Sequence, residues 1–185
     1  SNTTLRRIQA LMDGYNKVAG DHPQPRLLVH DAHGRDMIAM AARFGEGLAA
    51  NMLPIEIEAI SSFGHAEALG ALASGFGDVH ILLSPTADQV AIGREVALAT
   101  AIAGEHIHII DTPDPDQMTA ALSEIKPHII VETPILAMGS RRQVTRPAAR
   151  ALHCDDKILS LPEDAPYGAV LVNTDSCSIC LSCVS

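Results

Sequence analysis

Short apolar runs alternate with stretches of helical spacing along most of this chain, and that alternation restricts the possible folds more than any other feature. The runs occupy 26–30, 53–60, 79–83 and 106–110. After each run, apolar side chains recur every three or four positions over roughly ten to fifteen residues, which is the period of an amphipathic helix. Parallel strands joined by helices produce this alternation. The sequence therefore predicts an α/β fold.

The crossover rule predicts the layers and the strand order. Right-handed crossovers place helices on both faces of a parallel sheet, so we expect three layers around a mostly parallel sheet of roughly four to five strands. The fifth strand would lie at 128–131. We expect a flavodoxin-like order, 2-1-3-4, and the alternative is a Rossmann-like order, 3-2-1-4. Apolar and acidic residues alternate from Leu53 to Ile60, which indicates a strand at or near an edge.

A proline-rich stretch separates two predicted parts of the chain. We expect an α/β domain at 1–161, a linker at 162–168, and the beginning of a separate module at 169–185. A domain of this length can bury enough apolar surface to form a core of its own.

Composition narrows the classes of partner. The formal net charge of −9 argues against nucleic acid as the main partner. No apolar run approaches the ~20 residues of a membrane span, so we expect no membrane insertion. Three of the four cysteines crowd into 177–183, which is not the pattern of a secreted disulfide framework. We therefore expect a reducing cytoplasm as the compartment.

Three cysteines, Cys177, Cys180 and Cys183, repeat at a spacing of three residues. A loop that coils around a cubane [4Fe–4S] cluster presents a thiolate at every third residue, because the irons lie close together. A zinc site would need a second ligand pair, for which the chain offers only His153-Cys154. A redox dithiol would use one C-x2-C pair and leave Cys183 without a role. The spacing favours the iron–sulfur interpretation over both alternatives.

The stretch from Tyr167, a glycine-led apolar strand followed by Asp175-Ser176-Cys177, resembles the start of a ferredoxin module in multi-domain bacterial 4Fe–4S ferredoxin-type proteins. The resemblance implies electron transfer, with the three cysteines as iron ligands and with redox proteins or oxidoreductase subunits as partners. In that family a fourth cysteine, followed by proline, would stand at position 187. We therefore expect the cluster to form in a longer protein and not in this segment alone.

The larger domain resembles, over residues 26–112, the delta subunit of methyl-viologen-reducing hydrogenase. The similarity lies in the runs 53–60, 65–69 and 76–83. Members of that family carry cysteines after the corresponding strands, whereas this chain has Ser61-Ser62 and Leu83-Ser84 there. The resemblance implies a domain that has kept the scaffold and lost an internal cluster.

The alternative function is a small-molecule-binding or catalytic module. Ligands in open α/β sheets bind at the carboxyl ends of strands, where the strand order reverses. In the order 2-1-3-4 this crevice would lie beside Asp31, His33 and Ser84, where helix N-termini could meet an anion. The residue types favour the simpler interpretation, that these are turn and capping residues. No glycine-rich nucleotide motif or nucleophile elbow is present, so we favour an electron carrier or oxidoreductase subunit over a self-contained enzyme.

Nine histidines raise the question of a metal site in the α/β domain. His106 and His108 share one strand face, and His30 and His33 lie close in a turn. None has an acidic or cysteine partner at a defined spacing, so we expect partly exposed residues at strand ends. We expect His65 in the first turn of a helix.

Arginines at 141, 142, 146 and 150 stand out in an acidic chain. Arg142, Arg146 and Arg150 fall at i, i+4 and i+8, which places them on one face of a helix. This stripe could dock an acidic redox partner or offset the negative charge of a nearby cluster. The alternative is a solvated face that pairs with local carboxylates.

Overall fold

Four parallel strands form the central sheet: β1 (Arg26–His30), β2 (Met52–Glu56), β3 (Asp78–Leu82) and β4 (Ile107–Ile110). Their order is β2-β1-β3-β4. The computed structural model describes residues 2–20, 23–125, 129–153, 158–168, 173–176 and 178. The predicted α/β fold with the flavodoxin-like order is confirmed, and the Rossmann-like alternative is wrong.

Six helices flank the sheet in the described part of the chain: α1 (Asn2–Val18), α2 (Ala32–Phe44), α3 (His65–Ala73), α4 (Gln89–Ala103), α5 (Pro115–Glu124) and α6 (Arg141–Leu152). Aspartates begin three of them. Side-chain oxygens of Asp31, Asp88 and Asp114 accept N–H groups at the starts of α2, α4 and α5. These N–H groups have no partner inside a helix, so local sequence determines where each helix begins. Among the described helices, none combines the length and the apolar character needed to cross a membrane.

The helices cover both faces of the sheet, because successive strand residues point to opposite sides. The larger face packs against α1, α3, α4 and α6, with strand side chains such as Val29 and Ile81 in the core. The smaller face packs against α2 and α5, with strand side chains such as Leu28 and Leu82. The result is the predicted three-layer arrangement.

The most enclosed helix is α3, which is buried along its whole length. It contacts α1, α4, α6 and β3. Small residues permit this packing: a Cβ added at Gly70 would lie only 2.6 Å from Cδ2 of Leu5. Because α3 is enclosed, the polar residue at its first position, His65, needs partners within the protein.

The second strand is shorter than its sequence pattern suggested. β2 lies at an edge of the sheet, as predicted, but it ends at Glu56. The predicted continuation to Ile60 is wrong, because a 3-10 turn occupies Ile60–Ser62. The neighbouring strand β1 ends at His30, whose carbonyl accepts the N–H of Ile57 at 2.8 Å. β1 does not extend past this bond, so the chain after Ile57 has no neighbouring strand to pair with.

The predicted fifth strand at 128–131 does not join the sheet in the described residues. Residues 129–131 have no strand structure, and His128 lies outside the described residues. The chain instead passes the end of α3, where the N–H of Ile135 donates to the carbonyl of Ala73 at 2.8 Å. The described sheet therefore contains four strands.

Candidate functional site

The predicted crevice residues lie where the strand order placed them. Asp31, His33 and Ser84 follow β1 and β3, which are neighbours in the sheet. Oδ1 of Asp31 accepts the backbone N–H of His33 at 3.0 Å and that of Gly34 at 3.3 Å. Ser84 is buried, and its carbonyl accepts the N–H of Ala87 at 3.0 Å. These are the contacts of a helix cap and a turn.

The predicted iron ligands Cys177, Cys180 and Cys183 lie outside the described residues, as does Cys154. Within the described ranges, no group of three or more His, Cys, Asp and Glu side chains is arranged to hold a metal ion. The iron–sulfur interpretation therefore stays a prediction.

A buried histidine at the start of α3 joins four separate parts of the chain. His65 is only 1% exposed. Its Nδ1 lies 2.5 Å from Oε2 of Glu95 in α4, and its Nε2 lies 2.5 Å from the hydroxyl oxygen of Tyr167. That hydroxyl oxygen lies 2.8 Å from Oγ1 of Thr145 in α6. We call these four residues the His65 network.

Gly64 makes room for the carboxylate of this network. A Cβ at Gly64 would lie 2.6 Å from Oε2 of Glu95. The φ angle of Gly64 is −105°, which any residue can adopt, so the need for glycine here is steric. With that space free, the same oxygen of Glu95 also accepts the backbone N–H of His65 at 2.8 Å. A carboxylate is favoured at this point because the N-terminus of a helix carries partial positive charge.

The environment of Glu95 keeps its carboxylate ionised. Burial on its own would raise the pKa of Glu95, because desolvation disfavours the charged form. The backbone N–H and the ring of His65 donate to the carboxylate, and Nη1 of Arg141 lies 3.5 Å from its Oε1. These contacts outweigh burial, so the pKa of Glu95 is lowered from its ordinary value of 4.5. The network therefore contains a negative charge at neutral pH.

An ionised Glu95 fixes the direction of its hydrogen bond with His65. A carboxylate only accepts, so Nδ1 of His65 carries the proton and donates to Oε2 of Glu95. The hydroxyl of Tyr167 lies within hydrogen-bond distance of Nε2 of His65 and donates to Oγ1 of Thr145. Three side-chain hydrogen bonds therefore link α3, α4, α6 and segment 158–168.

The His65 network also holds segment 158–168 against the helices. Ala165 and Tyr167 pack on the larger core. Nε of Arg94 in α4 lies 3.3 Å from Oδ2 of Asp164, although both side chains are largely exposed. An exposed ion pair contributes little, so the attachment comes mainly from the packed side chains and from the hydrogen bonds of Tyr167. Residues 162–168, the predicted linker, thus pack against the domain where the structure describes them.

A groove of about 330 Å³ opens beside Tyr167, between α6 and segment 158–168. Its lining combines an apolar floor with three arginines of α6: Ile102, Ala149, Leu159, Leu161, Thr145, Tyr167, Arg142, Arg146 and Arg150. We call it the arginine groove. The arginine stripe predicted from the i, i+4, i+8 spacing therefore lies along one wall of this groove.

A second polar cluster lies on the smaller face, towards the amino-terminal ends of the strands. Arg26 begins β1, Asp78 begins β3, and His80 follows two positions later, and all three side chains are buried. Nη2 of Arg26 lies 3.0 Å from Nε2 of His80. The ring of His80 stacks on that of His108, with 5.0 Å between the ring centroids.

Asp78 supplies the acidic partner that the sequence pattern of His106 and His108 did not reveal. Its Oδ1 lies 3.4 Å from Nδ1 of His106 and 3.3 Å from Nε2 of His108. The side chains of His106 and His108 are 26% and 23% exposed, so the expectation of partly exposed residues is confirmed for these two. It is wrong for His30, which is only 5% exposed at the end of β1. Local spacing cannot reveal this acid, because it lies on the neighbouring strand, where β3 and β4 pair Val79 with Ile107.

The burial of this cluster keeps His80 neutral. Desolvation is the main reason why the pKa of His80 falls from 6.5 to about 3, and the charges of Arg26 and His108 lower it further against the opposing effect of Asp78. A neutral ring can accept the hydrogen bond that Arg26 donates through Nη2.

The His65 network could not be assembled from local spacing. The prediction that His65 lies in the first turn of a helix is confirmed. Glu95 lies 30 positions away and Tyr167 lies 102 positions away, so no short motif connects them. The one available signal was a histidine at the start of an otherwise apolar segment, because an enclosed polar ring requires partners.

Comparison of the chain with protein-family models, with curated proteins and with solved structures found no match.

Proposed function

We propose that the chain belongs to an iron–sulfur electron-transfer protein, in which Cys177, Cys180 and Cys183 are ligands of a [4Fe–4S] cluster. The observation that carries this proposal is the repeat of cysteine at every third residue, which suits the close spacing of the irons in a cubane. Thiolates are also the ligands that iron–sulfur clusters prefer. The proposed compartment is the reducing cytoplasm.

The local backbone before the first cysteine supports this assignment. A 3-10 turn occupies Thr174–Ser176. The N–H of Asp175 donates to Oδ1 of Asn173 at 3.0 Å, and the N–H of Ser176 donates to the carbonyl of Asn173 at 3.3 Å. Thiolates at every third residue require a coiled loop, and a tight turn directly before the first ligand is compatible with one.

The α/β domain supports the proposal as a scaffold. Tyr167 lies ten residues before Cys177 and is held by His65 and Thr145. In this proposal the domain would anchor the chain ten residues before the first cluster ligand. When bound, the cluster would supply the one-electron chemistry. Ile179 and Leu181, which alternate with the ligands in the sequence, would limit the access of water.

The proposed partners are redox proteins or subunits of an oxidoreductase, with the α/β domain as the docking unit. This role follows from the assignment of an electron carrier, which must meet a donor and an acceptor. The contacts of Asp31 are those of a helix cap, so they give no separate support to a ligand site at the strand ends.

The test is the iron and acid-labile sulfide content of the full-length natural protein, purified without oxygen. We expect iron and sulfide in equal amounts and a broad thiolate-to-iron charge-transfer absorption. Cys180→Ala should lose most of both, whereas Cys154→Ala should retain them and serves as the matched control. Zinc in place of iron, or equal losses in the two variants, would contradict the proposal.

A further inference from the structure

Among the residues that the structure describes, three arginines of α6 lack the carboxylate partners that several other arginines of the chain have. Arg35, Arg94 and Arg141 each lie within 3.5 Å of a carboxylate oxygen. No ion pair within the described part of the chain involves the three members of the stripe, which are all exposed: Arg142, Arg146 and Arg150. A concentration of positive charge that has no ion-pair partner among the described residues, in a chain of net charge −9, indicates a surface suited to an anion.

The surface between these arginines and segment 158–168 is apolar. Ile102, Leu159 and Leu161 line this surface, and Ile102 is buried. The two hydroxyl groups in the lining, those of Thr145 and Tyr167, lie 2.8 Å apart and bond to each other. The floor therefore offers contact area to a hydrocarbon or aromatic group, and the arginines offer the polar contacts.

We propose that the arginine groove binds a small molecule that carries one anionic group on a hydrocarbon or aromatic body. The apolar body would lie on Ile102 and Leu159, and the anionic group would meet the guanidinium of Arg146 in the middle of the stripe. Guanidinium binds carboxylate and phosphate through paired N–H donors, so either anion satisfies the recognition.

The dimensions of the groove suit such a ligand. Its volume of about 330 Å³ is at the lower end of the range for small-molecule sites. Arginines four residues apart on a helix are separated by about 6 Å along the axis, so one anionic group can meet two neighbouring guanidinium groups. A highly polar ligand would gain nothing from the apolar floor, and a neutral hydrocarbon would leave the stripe without a counter-charge.

The experiment is a titration followed by amide NMR spectra of the chain, with decanoate as the probe. Two matched probes separate the two halves of the proposal: decan-1-ol lacks the charge, and acetate lacks the hydrocarbon body. We expect saturable shifts with decanoate at residues of α6 and of segment 158–168. The affinities for decan-1-ol and for acetate should each be lower by about tenfold or more. Decyl phosphate, compared with decanoate, shows which anion is preferred.

Arg146→Gln tests the charge at the centre of the stripe. We expect decanoate to bind about tenfold more weakly to this variant, with the binding of decan-1-ol unchanged. Arg6→Gln removes one exposed positive charge from α1, which contributes no residue to the lining of the groove, and should bind decanoate as the wild type does. The decanoate affinity of the wild type should also fall as salt concentration rises, because these charges are exposed.

The proposal is overturned if decanoate shows no saturable binding, if decan-1-ol binds as tightly as decanoate, or if Arg146→Gln and Arg6→Gln weaken binding equally. None of these results depends on the iron–sulfur cluster, so the groove and the cluster are tested independently. Because Arg146 is exposed, its replacement should leave the fold intact. The unfolding midpoint of the variant checks that weaker binding does not result from loss of folding.

Discussion

The Nε2 atom of His65 lies 2.5 Å from the hydroxyl oxygen of Tyr167, and the two rings meet edge to face at 86°. This contact joins the N-terminus of the buried helix α3 to the segment that leads towards Cys177. Because His65 is 1% exposed, water cannot easily replace the tyrosine hydroxyl. The stability of the domain and the attachment of segment 158–168 are therefore coupled.

Tyr167→Phe should lower the free energy of unfolding by about 1–3 kcal/mol, because it leaves a buried nitrogen of His65 without a partner. The measurement is urea unfolding at neutral pH. Tyr15→Phe is the matched control, because the Tyr15 hydroxyl donates to the carbonyl of Pro23 at an exposed position. The control should lose less than about 1 kcal/mol. Equal losses in the two variants would show that the contact to His65 contributes no more to stability than an exposed hydrogen bond does.

Gly64→Ala should destabilise the protein by about 1–3 kcal/mol, since the added methyl group displaces the carboxylate of Glu95 from His65. The new Cβ would lie 2.6 Å from Oε2 of Glu95. Gly93→Ala is the control: it lies within α4, and a Cβ there meets nothing within 4 Å. That change should raise stability by up to about 1 kcal/mol, because alanine is the better helix former. A neutral Gly64→Ala would contradict the packing of the network.

Glu95→Gln removes the charge but keeps the shape of the network. We expect a loss of about 1 kcal/mol at neutral pH, reduced by the partial exposure of Glu95. The folded-state pKa of Glu95 lies below its ordinary value of 4.5, so the contribution of the charge is present above that value. As pH falls through the folded pKa, wild type and variant should converge in unfolding experiments. Glu124→Gln, at an exposed position of α5, should show no such convergence.

As pH is lowered, the effect of His80 on the free energy of unfolding should begin at a higher pH than that of the carboxylates. Its pKa is about 3 in the folded protein and 6.5 ordinarily, so the unfolded chain binds the extra proton between these values. The folded state is therefore fully favoured above 6.5 and loses about 1.4 kcal/mol per pH unit below it. His80→Gln should remove this slope, while His33→Gln should retain it. If His80→Gln kept the same slope of stability against pH, the low folded-state pKa of His80 would be contradicted.

The fold could be predicted from the sequence because short local patterns specify its strands and helix starts. Each strand is a short apolar run, and each of α2, α4 and α5 begins at a capping aspartate. The arginine stripe could be predicted for the same reason, because helix geometry alone places Arg142, Arg146 and Arg150 on one face. The end of β2 could not be predicted, since it depends on where the partner strand β1 stops.

The buried polar contacts could not be predicted, because the residues that form them are distant in sequence. Asp78 reaches His106 and His108 only through the pairing of β3 with β4. Tyr167 reaches His65 only after segment 158–168 has packed on α4 and α6. Such pairs require the strand order and the helix packing to be known first.

The most direct test of the central claim is the Mössbauer spectrum of the full-length natural protein, isotopically enriched in iron and purified without oxygen. The account predicts the signature of a [4Fe–4S] cluster, which is lost in the variant that replaces Cys177, Cys180 and Cys183 with alanine. Iron absent from the wild type, or a cluster signal that survives the triple replacement, would contradict it.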